Sequence, residues 1–205
     1  MPKPSSPERT ELAPGLVISR MVTGLWQVAD MERDGPKLDA GRAAADLAAY
    51  AEAGFDTFDM ADHYGSAEEI TGRFNRMLAD GRVRTRPGTR PAIFTKWCPP
   101  PGPMTAAVVR AAVGRALDRL QTSRIDLMQF HWWTFQHPAW LDALHELTVL
   151  KAECLIEAIG FTNFDTDHLR VALADGIPIA TNRVSFSLID LRASVGLSAL
   201  CRDKG

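Results

Sequence analysis

From residue 21 onward, apolar and polar positions fall into two alternating rhythms. "MVTGLWQV" (21–28) and "GFDTFDM" (54–60) are short apolar runs that predict strands, and between them "GRAAADLAAYAEA" (41–53) is alanine-rich with helical spacing. Ser66 followed by Glu69 has the form of a capping box and predicts a second helix to about Met77. "PAIFTKW" (91–97) predicts the next strand. The proline-stiffened turn "PPPGPM" then leads to Thr105, a suitable N-cap for a helix whose stripe runs Val109, Val113, Ala116, Leu117, Leu120. The same reading gives strands over 125–131, 154–161 and 177–184, and helices over about 138–152, 165–175 (N-cap Asp165) and 193–203. Residues 1–10, polar and proline-bearing, read as a disordered leader, which leaves 11–205 for the fold.

Six strand–helix units imply an α/β protein with a parallel sheet. No G-x-G-x-x-G follows the first strand, which disfavours a dinucleotide-binding doubly wound sheet. The (β/α)8 barrel of TIM type is the leading architecture, but it needs eight units and typically ~250 residues. The expected fold is therefore an incomplete barrel with about six of eight βα units.

In such a barrel, polar side chains at the carboxyl ends of the strands converge on one mouth. Here those ends carry Asp59, Lys96, His131 and, just past the fifth strand, Asn163, with Tyr64 on the loop after Asp59. A phenol is a poor proton donor to a carbonyl at neutral pH unless a nearby cation stabilises the phenolate. Lys96 suits that cation, Asp59 would hold the ammonium, and His131 could donate to the carbonyl oxygen. Together they would make an acid site for carbonyl reduction, with the hydride supplied by a cofactor.

"DMADHYG", "FTKW", "FHWW" and "IGFTNF", in this order and spacing, resemble the motifs of the aldo-keto reductase superfamily from about residue 12 to the end. The resemblance implies a (β/α)8 barrel that reduces aldehydes or ketones with NADPH, bound in extended form at the mouth. It makes Asp59, Tyr64, Lys96 and His131 the catalytic tetrad, with Tyr64 as proton donor. It also assigns Gly24, Leu25 and Trp26 to the first-strand turn lining the nicotinamide and substrate pocket, and Thr162 and Asn163 to the carboxamide. The sequence departs from the family at Asn182-Arg183, where Asn-Gln is usual, and arginine offers no acceptor. Arg183 is read as a cofactor contact of changed chemistry or as a surface charge. The chain reads as a C-terminally truncated member, without the last two units and the adenosine-phosphate contacts they carry in the family.

Composition narrows the partners. With 23 basic against 25 acidic residues, nothing favours nucleic acid or a membrane surface over a small carbonyl substrate. Cys98, Cys154 and Cys201 are widely spaced without CxxC, so neither a disulfide framework nor a metal site is indicated, and a cytoplasmic location is expected, with a plastid address left open. Cys98 reads as a small buried hydrophobe and His63 as a solvated loop residue. Trp26, Trp97, Trp132 and Trp133 read as core filling or as walls of an apolar pocket. A non-enzymatic alternative is a binding or regulatory subunit, self-associating through the open edges of an unclosed barrel. A Schiff-base aldolase using Lys96 would leave Asp59, Tyr64 and His131 unexplained.

Overall fold

A computed structural model describes residues 7–29 and 38–204. The chain opens with an antiparallel hairpin, β1 (Arg9–Ala13) and β2 (Leu16–Ser19), and then alternates β3 (Thr23–Gly24), α1 (Ala40–Glu52), β4 (Thr57–Asp59), α2 (Ala67–Ala79), β5 (Ala92–Trp97), α3 (Ala106–Leu120), β6 (Ile125–His131), α4 (Trp140–Ala152), β7 (Ile156–Thr162), α5 (Thr166–Ala174) and β8 (Ile179–Arg183). A 3₁₀ turn (Arg192–Ser194) and α6 (Gly196–Lys204) follow. Strands β3 to β8 pair in sequence order, all parallel. The result is a curled sheet that does not close, an incomplete (β/α)8 barrel.

Helix starts follow local chemistry. Asp39, Thr105 and Asp165 are extended residues whose side chains accept from backbone N–H groups in the first turns of α1, α3 and α5. The expected capping box at the start of α2 does not form: Ser66 makes no side-chain cap bond, and Glu69 is exposed. Its neighbour Glu68 is buried instead and accepts from Thr95 Oγ1 at 2.7 Å and from Arg119 at 3.3 Å, so a tertiary contact outranks the local one.

The predicted strand over 21–28 shrinks to two residues. After Gly24 the Leu25 N–H donates to the Asp59 carbonyl at 2.9 Å and the chain turns through residues 26–29. The leader expected over 1–10 is corrected at its end, because Arg9 and Thr10 belong to β1. Residues 1–6 lie outside the described part. Arg9 places Nη1 2.8 Å from both carboxylate oxygens of buried Asp56, which ties the hairpin to the residue just before β4. Gly15, at φ 80°, takes the left-handed turn position that other residues avoid.

The strand period of two sorts each strand between two environments. Outward residues such as Phe58, Met128, Phe130 and Phe161 join Phe74, Val113, Leu144 and Leu169 in the core under the helices. Inward residues change character along the strand. At its lower end Ala92, Phe94, Leu127 and Ala158 pack against Leu16 and Ile18 of the hairpin, which plugs that end. At its upper end the same faces carry Lys96, Gln129, His131 and Thr162. An apolar floor therefore supports a polar mouth.

Candidate active site

Asp59 ends β4 with its carboxylate buried on the concave side. Its Oδ2 accepts from Lys96 Nζ at 2.6 Å, its Oδ1 accepts from Gln129 Nε2 at 2.6 Å, and the Arg183 guanidinium also donates to Oδ2. Lys96 donates a second bond to the Met60 carbonyl at 2.9 Å. An ammonium at 4% exposure is tolerated because both bonds and the opposite charge compensate its desolvation. Burial pulls its pKa below the ordinary lysine value, and the Asp59 carboxylate opposes that pull.

The loop after β4 is held to the end of β5 by the Asp62 N–H, which donates to the Lys96 carbonyl at 2.9 Å. That bond sets Tyr64 over the site. The ring lies 4.6 Å from the Trp26 ring, edge to face, and Lys96 Nζ sits 4.9 Å from its centroid. The phenol's pKa is raised, first by burial and then by the Asp59 carboxylate. The Arg183 guanidinium pulls the other way without outweighing burial and the carboxylate. His131, half-buried at the end of β6, has its pKa lowered by burial and by His63 and Lys96, which keeps the imidazole neutral.

Gly24 ends β3, Leu25 is buried, and Trp26 backs Tyr64. Thr162 stands in register with His131 on one side and Arg183 on the other. Among the described residues, its buried Oγ1 has no hydrogen-bond partner. Asn163 is exposed at φ 60°, a left-handed conformation that asparagine adopts more readily than most residues, with its N–H bonded to the Arg183 carbonyl at 2.8 Å. The tryptophans divide: Trp97 and Trp132 are core, whereas Trp26 and Trp133 stand at the mouth.

One participant, Gln129, and one contact, that of Arg183 with Asp59, are absent from the sequence reading. Gln129 carried a usable signal, since it lies two positions before His131 and so on the same strand face. The grip of Arg183 on Asp59 spans most of the chain and left no local signal.

A parallel sheet curled around strand-end side chains, with an apolar floor and a polar mouth, defines a (β/α)-barrel type of fold, the class in which sites gather at the carboxyl ends of the strands. The aldo/keto reductase family model matches residues 20–205, and the chain belongs to that family. An aldo-keto reductase of Mycobacterium sp. (strain JLS) is 30% identical over 194 residues, covering 90% of this chain and 63% of that protein. A thermostable aldo-keto reductase in complex with the inhibitor epalrestat superposes with TM-score 0.79 at 22% identity, over 97% of this chain and 70% of that one. An aldo/keto reductase from Klebsiella pneumoniae in complex with NADP and acetate gives 0.75 at 25% identity, over 96% and 65%. The chain thus spans a little under two thirds of its mycobacterial relative. Among the described residues, no helix is long and apolar enough to cross a membrane.

Proposed function

We propose that the site reduces an aldehyde or ketone with NADPH, Tyr64 donating the proton. The observation that carries this reading is the chain Asp59–Lys96–Tyr64, in which a carboxylate fixes an ammonium at 2.6 Å and the ammonium lies 4.9 Å from the phenol ring centroid. The Klebsiella pneumoniae relative, in complex with NADP, supports the choice of cofactor.

The residues present suit a nicotinamide. Buried Thr162 Oγ1 lacks a partner among the described residues, and a buried hydroxyl normally has one. Thr162 and Asn163 would hold the carboxamide, with Gly24, Leu25 and Trp26 bounding the ring. Arg183, its side chain half-exposed, keeps donors beyond the one given to Asp59 and would meet the cofactor with those. The bound cofactor supplies the hydride.

Neutral His131 donates a ring N–H to the substrate oxygen and orients it. Tyr64, fully protonated because its pKa is raised, passes its proton to that oxygen as negative charge develops there. Lys96 stabilises the phenolate left behind, and Asp59, with Gln129, holds Lys96 in place. Trp26 and Trp133 exclude water and offer an apolar wall to the substrate. A cytoplasmic location belongs to the same proposal.

The test is a titration of the purified chain with NADPH, reading tryptophan quenching, followed by NADPH consumption with a panel of aldehydes and ketones. Saturable binding and turnover that Tyr64→Phe abolishes support the reading; a folded chain with neither overturns it. A second reading, a binding or regulatory subunit, is favoured by one observation: Leu188 and Ile189, each 98% exposed, stand just beyond β8. A folded chain that binds no NADPH yet self-associates would select it.

A further inference from the structure

Asp62, His63 and Cys98 meet just outside the mouth from two different loops. One ligand atom from each, a carboxylate oxygen, a ring nitrogen and the sulfur, all lie within 4.8 Å of one another. His63 Nδ1 is 3.1 Å from Asp62 Oδ1, and Asp62 Oδ2 accepts from the Cys98 N–H at 3.2 Å. The backbone bond from Asp62 N–H to the Lys96 carbonyl, at 2.9 Å, fixes the two loops against each other independently of any ligand. A cavity of about 350 Å³ under the proline loop opens onto Asp62 and Cys98.

We propose that this trio is a metal site for a zinc-class divalent cation. Ligand distances of ~2.0–2.3 Å in a tetrahedral site put neighbouring donor atoms about 3.5 Å apart. The His63–Asp62 separation of 3.1 Å lies just below that value and the others lie within 4.8 Å, so side-chain adjustment can close the trio on an ion. A thiolate, an imidazole and a carboxylate form a borderline-soft set that selects Zn²⁺ or Co²⁺ over Mg²⁺ and Ca²⁺. Three protein ligands leave the fourth position open, and the cavity gives a water or a small anion room to take it.

Charge balance agrees with the chemistry. Arg119 donates to the Asp62 carbonyl at 3.3 Å, Arg115 lines the same cavity, and Lys96 lies within electrostatic reach of Cys98. These cations oppose a bare ion. With the thiolate and the carboxylate the divalent ion forms a neutral unit, so the opposition is largely removed. As the sulfur–metal bond forms, the Cys98 proton leaves to solvent; no oxidant or reductant takes part. His63 and Tyr64 are adjacent in sequence, with ring centroids 4.9 Å apart, so an occupied site anchors the segment that carries Tyr64 to the end of β5.

Cobalt(II) is the probe. Titrating the full chain should give one equivalent of tetrahedral d–d absorption with a thiolate-to-cobalt charge-transfer band, displaced by Zn²⁺ and untouched by Mg²⁺. Cys98→Ser should remove the charge-transfer band. His63→Gln, at an exposed position that leaves the core intact, should weaken binding by about 100-fold, at or beyond the upper end of the ~10–100-fold loss typical of an outer-shell partner. The double variant Cys154→Ser/Cys201→Ser, which alters the two exposed cysteines, should bind as the parent does. Circular dichroism establishes that each variant is folded. No band in the parent, a charge-transfer band that survives Cys98→Ser, full affinity in folded His63→Gln, or loss of the charge-transfer band in the double variant would each overturn the proposal.

Discussion

Asp59 is served by three donors from three strands, and its carboxylate ties the mouth together. Gln129→Leu removes the donor to Oδ1 and leaves a buried carboxylate oxygen short of a partner, at a cost of about 1–3 kcal/mol. Urea denaturation should show that loss, and kcat should fall more than KM because Lys96 loses its fixed anchor. Tyr64→Phe deletes the proposed proton donor without touching the Asp59–Lys96 pair. Carbonyl reduction should drop by about 10²–10⁴-fold with NADPH affinity unchanged, and undiminished turnover would remove Tyr64 from the chemistry. The pH profile follows from two directions. The phenol's raised pKa keeps Tyr64 protonated, so reduction should be limited at high pH only above 10. His131 titrates below 6.5 in the folded chain, so between its folded pKa and 6.5 the unfolded state binds more protons, and stability falls as pH drops through that window. Thermal melts from pH 8 to 5 should show it. At this scale the sequence disclosed the residues whose position is set by their own strand: Asp59, Lys96 and His131 all end predicted strands. It did not disclose partners brought together by curling of the sheet, such as Arg183 on Asp59 or Asp62 beside Cys98.

Between elements, the packing turns on close approaches that only a missing side chain permits. Gly72 lies inside α2, where alanine would ordinarily stabilise a helix by roughly 0.5–1 kcal/mol. A Cβ there would stand 2.1 Å from the Arg119 carbonyl oxygen at the end of α3, and that neighbour is backbone. The overlap is decisive: Gly72→Ala should destabilise by about 1–3 kcal/mol, the usual cost of overpacking, and a raised denaturation midpoint would show that α2 and α3 can separate. The N-caps Thr105 and Asp165 were legible because each is a bond within one turn. The hairpin is hard to read because the first two residues of β1 fall in the stretch assigned to the leader, although an apolar pair on either side of Pro14-Gly15 is a usable signal. Glu68 shows the opposite limit, since its burial against Thr95 and Arg119 depends on where β5 and α3 lie.

For the whole molecule, alternation of strand and helix was enough to give the architecture, because six repeats of one pattern admit few topologies and handedness fixes the rest. The unclosed sheet has a physical consequence. Among the described residues, strands β3 and β8 each lack a neighbour on one side within the six-stranded sheet, and unpaired strand edges are templates for another chain. Beside β8 the exposed residues Phe186, Leu188, Ile189, Leu191 and Val195 add an apolar surface, of the kind that marks contact sites. A groove of about 840 Å³ between β8, the hairpin and α5 runs along the same edge, with Leu12, Leu169, Leu173 and Ile179 in its walls. The 205-residue chain, prepared alone, should therefore associate with itself as concentration rises, as sedimentation velocity would detect. Replacing Leu188 and Ile189 together by lysine adds charge to the apolar stretch without touching the mouth or the core, and should shift the distribution toward monomer. A chain that sediments as monomer at every concentration and melts cooperatively would mean that the edge is covered by its own side chains, and association would be withdrawn.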